Sequence, residues 1–224
     1  MAFNGFTEKS IVFLKDLAAN NNKEWFENNR PVYEKHIMEP MRQLATDLGP
    51  FIRSVDPEIE TSPVVNKTIS KIYRDVRFSA DKSPFRTGLW ISYRRPNKVW
   101  GNVPEFYLYF TPEEYQYGMG FYSATPANMQ KIRDHIELHA ARFEEIAEIY
   151  DTRDDLVVMG GDYKKRIPNS LPEKLQPWYQ KRNLYVNSTR KIDSTFYSAG
   201  LKDDIENYFR DNAGLYLFII EAIL

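Results

Sequence analysis

The 224-residue chain contains no cysteine. That absence excludes disulfides, thiolate nucleophiles and any zinc or iron–sulfur centre built on cysteine, and it fits a reducing compartment. Histidine is nearly as scarce, with only His36, His135 and His139. The longest apolar run, Leu215 to Ile220, falls far short of the ~18 residues that suggest a membrane span. The opening residues, MAFNGFTEKS, lack a basic segment followed by an apolar one, so no secretory signal is expected. A cytoplasmic protein with no membrane partner is therefore the expectation. The two glycosylation-like triplets, Asn66-Lys67-Thr68 and Asn187-Ser188-Thr189, are read as chance.

Several active-site signatures are also missing. There is no Walker phosphate loop, and Gly118-x-Gly120 alone falls short of a dinucleotide fingerprint. No Gly-x-Ser-x-Gly nucleophile elbow occurs. No cofactor is implied by any motif. His135 and His139 stand four apart at the zinc-protease spacing, but Glu137 sits one place later than that motif requires. A half-buried helical pair is the plainer reading, and no metal site is expected.

What is present is an ordinary globular balance, 42% hydrophobic and 27% charged, with aromatics raised to 15%. Fifteen tyrosines and fourteen phenylalanines lean toward sheet, where aromatic rings pack well on a pleated surface. The N-terminal third reads as helix. Thr7 suits the cap of a segment carrying Ile11, Leu14 and Leu17, and Asn21 with Glu24 resembles a capping box for a second. Pro31 and Pro40 are each expected to open a new turn. Met41, Leu44 and Leu48 continue a helical face to Gly49-Pro50.

From about Thr68 the period shifts toward two. Four runs alternate: Ile72 to Phe78, Leu89 to Tyr93, Phe106 to Phe110 and Tyr115 to Gly120. A long amphipathic helix is expected from Thr125-Pro126 to about Tyr150, and Leu171 to Arg182 reads as partly helical. One more strand is expected over Leu184 to Thr189. A last helix runs from Asp203, interrupted near Asn212-Ala213-Gly214. The expected fold is α+β, an antiparallel sheet of about four to five strands packed by N-terminal and C-terminal helices. With no linker and no repeat, residues 1–224 are read as a single domain.

The net charge of −1 hides an asymmetry. Lys67 to Lys98 holds nine Lys/Arg against two Asp, and Gly160 to Lys202 holds nine against three acids. Such segregation points to an anionic partner, or to basic surfaces facing acidic helices of the same molecule. The informative stretch is Arg74 to Arg86, RDVRFSADKSPFR. Asp81, Ser83 and Pro84 favour a turn through side-chain-to-backbone bonds and a fixed φ. Such a turn presents backbone N–H groups beside Lys82 and Arg86, a pairing suited to phosphate or carboxylate oxygens.

Here the sequence resembles a known family. Asn21-Asn22-Lys23-Glu24-Trp25-Phe26, and above all Tyr73-Arg74-Asp75-Val76-Arg77-Phe78 with Asp81-Lys82-Ser83-Pro84-Phe85, are similar to the bacterial family called domain of unknown function 2461. The likeness continues through Phe106-Tyr107, Gly118-Met119-Gly120 and Ile132-Arg133. It implies a compact bacterial α+β protein, brings no known cofactor and assigns no catalytic residue.

Two readings of the central motif stand side by side. In one, the chain is a binding or enzyme-like module in which Arg74, Arg77, Lys82 and Arg86, with Asp75 and Asp81, hold a phosphate- or carboxylate-bearing small molecule, and Tyr73 and Tyr107 line the place. In the other, Arg74 pairs with Asp75, Arg77 pairs with Glu24 or another acid, and Asp81 caps a turn. Asp75 and Asp81 are the only nearby acid–base candidates. Metal-nuclease chemistry is disfavoured because Asp81 and Lys82 are adjacent and diverge on a strand. The second block interleaves Lys164-Lys165-Arg166, Trp178-Tyr179, Lys181-Arg182 and Arg190-Lys191, a pattern compatible with single-stranded nucleic acid. A pI near 6.3 makes nucleic acid the lesser partner, and docking of an acidic protein belongs to the same alternative.

Overall fold

The computed structural model describes residues 2–96 and 102–224; Lys98, at the end of the basic segment, lies outside them. Three helices open the chain: α1 (Glu8–Ala19), α2 (Lys23–Tyr33) and α3 (Glu39–Val55). Thr7 caps α1 as expected, its N–H donating to Ser10 Oγ at 3.0 Å. At α2 the cap moves by one residue. Asn22 is the N-cap, accepting from the Trp25 N–H at 3.0 Å. Asn21 is used elsewhere: its amide donates to the Phe85 carbonyl and accepts from the Phe85 N–H, both at 3.0 Å.

Pro40 stands at the opening of a helix as expected, whereas Pro31 opens no new turn. Pro31 lies inside α2 and Pro40 sits in the first turn of α3, with one π-helical turn, Glu34–Met38, between them. The wider turn takes up the register disturbed by a missing proline N–H, so the chain stays helical from Lys23 to Val55.

Five strands, β1 (Leu89–Arg94), β2 (Glu105–Phe110), β3 (Glu114–Gly120), β4 (Val157–Met159) and β5 (Tyr185–Lys191), form an antiparallel sheet ordered β1-β2-β3-β5-β4. The α+β class and the antiparallel sheet agree with expectation. β4 pairs with β5 in the register Val157↔Asn187, Val158↔Val186 and Met159↔Tyr185. One expected strand is absent. Ile72 to Phe78 forms no strand, only the isolated bridge Tyr73↔Phe85. Asp75 draws the Arg77 N–H to its own carboxylate at 3.2 Å, and Ser79 N–H bonds the Val76 carbonyl at 3.3 Å. These local bonds compete with a ladder and win.

Further along, α4 (Pro126–Leu138) and α5 (Ala140–Thr152) replace the single long helix, because His139 leaves helical geometry at φ −124°, ψ 38°. The short α6 (Gln176–Tyr179) follows a 3₁₀ turn, Glu173–Leu175. The last helix, α7 (Gly200–Ile223), runs without the expected interruption. Asn212 is fully buried there, donating to the Tyr208 carbonyl at 2.7 Å and accepting from the Tyr150 hydroxyl at 2.6 Å. A residue that breaks exposed helices is held here by two hydrogen bonds of its buried side chain. No helix among the described residues is long and apolar enough to cross a membrane.

The chain forms two compact units. One runs from the N-terminus to Tyr93, with Tyr107–Gln116 and Thr189–Glu206. Its core includes a cluster in which Phe6 stacks on Phe196 at 4.7 Å and meets Phe110 at 4.8 Å. A second cluster joins Phe13, Phe26, Tyr33 and Phe85. The other unit comprises Arg94–Phe106, Tyr117–Ser188 and Asn207–Leu224. Phe106 lies between Phe209 at 5.0 Å and Tyr216 at 4.9 Å, and Phe143 meets Trp178 at 5.5 Å.

Candidate functional site

The basic motif lies wholly in the first unit, on a loop whose base is fixed at both ends. Arg74 N–H bonds the Pro84 carbonyl at 2.9 Å, and Arg86 N–H bonds the Ile72 carbonyl at 2.8 Å. Phe85 is clamped by the Asn21 amide and stacks on Phe26 at 4.3 Å. Sequence alone suggested a strand entering a turn. The structure shows a long turn carried on one bridge.

The four candidate cations fare differently. Arg74 pairs with Asp81 and also reaches Ser79 Oγ at 3.3 Å and the Ser83 carbonyl at 3.4 Å. Arg77 lays its fork on Asp75, Nε to Oδ1 at 2.9 Å and Nη2 to Oδ2 at 2.6 Å. Its partner is thus Asp75, neither Glu24 nor another acid of the N-terminal helices, and the expected Arg74–Asp75 pair gives way to Arg74–Asp81. Lys82 donates to the Val76 carbonyl at 3.0 Å. Arg86 alone of the four meets neither carboxylate nor carbonyl through its side chain. Its Nε is buried without a hydrogen-bond partner, and its guanidinium lies 5.0 Å from the centroid of the Trp90 ring. A buried donor left unpaired costs roughly 1–3 kcal/mol.

Alternation explains the neighbours of Arg86. Leaving the loop toward β1, Phe85, Leu89 and Ile91 are buried, while Arg86, Gly88 and Trp90 share the opposite face. On the adjacent β2, Tyr109 crosses Gly88 so closely that a Cβ there would lie 2.7 Å from its Cζ. Burial pushes the Tyr109 hydroxyl up from its ordinary pKa, Glu114 pushes the same way, and Arg86 pulls it down. Tyr109, Gly88 and Trp90 are site residues that motif reading missed. For Gly88 and Trp90 the period-two pattern around Gly88 was the available signal. Of the tyrosines expected to line the site, Tyr73 is half-exposed at the loop base and accepts a long bond, 3.5 Å, from Arg30.

Asp75 and Asp81 are tied into the loop by hydrogen bonds from Arg77 and Ser83. Hydrogen bonds from the Arg77 side chain and then its backbone hold Asp75 at a pKa of about 2, and Ser83 first, with Arg74, holds Asp81 well below the usual carboxylate range. A carboxylate so depressed is a weak general base at neutral pH. Because both folded values lie below the unfolded ones, these contacts are fully formed above about pH 4 and are lost as pH falls through the folded values. The amide signals of Arg77 and Ser83, which these carboxylates accept, are expected to titrate with midpoints near pH 2 or lower. Midpoints at the ordinary aspartate value would mean that the pairs do not form in solution.

The remaining candidates are quieter. Among the described residues no group of three or more His, Cys, Asp or Glu side chains is placed to hold a metal ion. His135 and His139 do come together, ring centroids 4.5 Å apart, but the Glu137 carboxylate is taken by the Tyr179 hydroxyl at 2.5 Å. In the second basic block Lys181 pairs with Asp162, Arg166 with Glu173, Lys174 with Glu144 and Arg190 with Asp204. Trp178 and Tyr179 are buried. Local acids and the core thus account for much of that block.

Residues 9–218 match the family described as "Conserved hypothetical protein (DUF2461)". The match spans nearly the whole chain, and the chain belongs to that family. No curated protein matches it.

Proposed function

We propose that this protein is a bacterial, cytoplasmic binding module that holds a phosphate- or carboxylate-bearing small molecule at the Arg74–Arg86 segment. Arg86 is the residue that contacts the anion. The observation that carries this reading is its unneutralised guanidinium, held against the Trp90 ring with an unpaired Nε. A charged fork of this kind suits two oxygens of one phosphate or carboxylate, and the Tyr109 hydroxyl beside it adds a donor. Asp75 and Asp81 offset Arg77 and Arg74, which with Lys82 shape the loop around the site.

The test is thermal shift with inorganic phosphate and a panel of phosphorylated and carboxylated metabolites. A ligand that binds only the folded state stabilises it by about 2.7 kcal/mol at a hundredfold excess over Kd. A rise in Tm is expected for the wild type and for Arg166→Gln, in the second basic block, and its loss for Arg86→Gln. No shift with any anion, or an equal shift in Arg86→Gln, would remove the reading.

A further inference from the structure

Phe78 is 95% exposed at the apex of the basic loop. It is not a loose residue. The turn Val76 to Ser79 is closed by a backbone bond, Lys82 ties back to the Val76 carbonyl, and Arg74 ties to Ser79 and Asp81. Arg77, itself pinned by Asp75, stacks over the Phe78 ring at 5.8 Å. A ring held in water by this many local bonds forms a knob, and an exposed aromatic beside an arginine is typical of a contact anchor.

The same unit carries a hollow of matching character. Between α1 and α2 lies an open groove of about 300 Å³ lined by Val12, Phe13, Trp25 and Val32. Val12 is 53% and Val32 37% exposed, so apolar surface faces water there. Glu8 and Asp16 also line it, against one Lys9. The knob segment Lys71 to Arg86 carries five cations against two carboxylates, so the two surfaces are complementary in charge as well as in apolarity.

We infer that the chain self-associates, Phe78 of one copy entering the α1–α2 groove of a second. Knob and groove adjoin neighbouring faces of α2. Tyr73, at the loop base, meets Phe26 at 6.2 Å and accepts from Arg30, while Trp25, Asn29 and Val32 line the groove. That adjacency lets two copies exchange knobs across a two-fold axis, which closes the assembly as a dimer. One phenyl ring per copy is a small apolar core, so the association is weak and concentration-dependent.

Sedimentation of the full chain over a concentration series tests this. The mass is expected to rise from 26.4 kDa toward twice that value. Phe78→Asp and Val12→Arg are each expected to raise the dissociation constant by at least about tenfold. Both residues are exposed, so neither change threatens the fold. Mixing the two variants restores one intact knob–groove pair and partial association. A wild type that stays at 26.4 kDa throughout, or a Phe78→Asp variant that dimerises normally, overturns the inference. So does Phe78-dependent binding to phosphatidylserine vesicles by a chain that remains monomeric. Arg86 is untouched, so anion binding is scored separately.

Discussion

Phe26→Ala is expected to destabilise the protein by about 3–5 kcal/mol, the range for truncating a buried phenylalanine. Phe26 is fully buried, stacks on Phe85 at 4.3 Å, and meets Tyr33 at 5.4 Å and Phe13 at 6.4 Å. The Arg30 guanidinium lies 5.1 Å from its ring centroid. Its removal would leave a cavity bounded by rigid rings from α1, α2 and the loop base, a lining that collapses poorly. The loss is a large share of a typical folding free energy of roughly 5–15 kcal/mol. Urea unfolding reads it as a lowered midpoint with an unchanged slope. A loss below about 1 kcal/mol would show that the ring is not a keystone. If the variant folds, the Tyr73↔Phe85 bridge should weaken, because Phe26 supports both partners.

That dependence of a loop on a distant ring marks the limit of sequence reading here. Strands β1, β2 and β3 were legible because Leu89, Ile91, Phe106, Leu108, Tyr115 and Tyr117 repeat at period two and are buried. The start of α1 was legible because capping is local. Val76 and Phe78 carried the same alternation but formed no strand, since Asp75 offered the backbone a nearer partner. Asn21 misled for the opposite reason. Its amide bonds Phe85, far along the chain, and the cap falls to Asn22. Pro31 and Asn212 look like breakers in isolation, yet a π turn and two side-chain hydrogen bonds absorb them.

The candidate site divides along the same line. Turn chemistry at Asp81, Ser83 and Pro84 is encoded in neighbours and could be read directly. Which cation keeps its charge free is decided by pairing geometry. Arg74, Arg77 and Arg86 are chemically identical on paper, and only coordinates separate two neutralised forks from one lying on Trp90. Tyr109 enters from another strand, beyond the reach of any local motif.

Gly120→Ala is the other large effect. Gly120 ends β3 at φ +143°, a backbone state that L-residues rarely adopt. A Cβ there would lie 2.5 Å from the Leu184 carbonyl oxygen and 2.6 Å from Tyr185 Cβ, and would also strike Tyr185 Cα. Phe121 N–H bonds that same carbonyl at 2.9 Å, so the backbone cannot retreat without losing that bond. Strain and overpacking together are expected to cost about 3 kcal/mol or more. Gly214→Ala supplies the control. Gly214 lies within α7, where a Cβ would meet only Ile146 Cγ1, at 4.0 Å, an ordinary contact. Alanine there is expected to stabilise by about 0.4–1 kcal/mol, through helix propensity and a less flexible unfolded chain. Thermal melts of the two variants should therefore move in opposite directions for the same added methyl group. A Gly120→Ala midpoint equal to wild type would mean that the β3–β5 approach is looser than these distances.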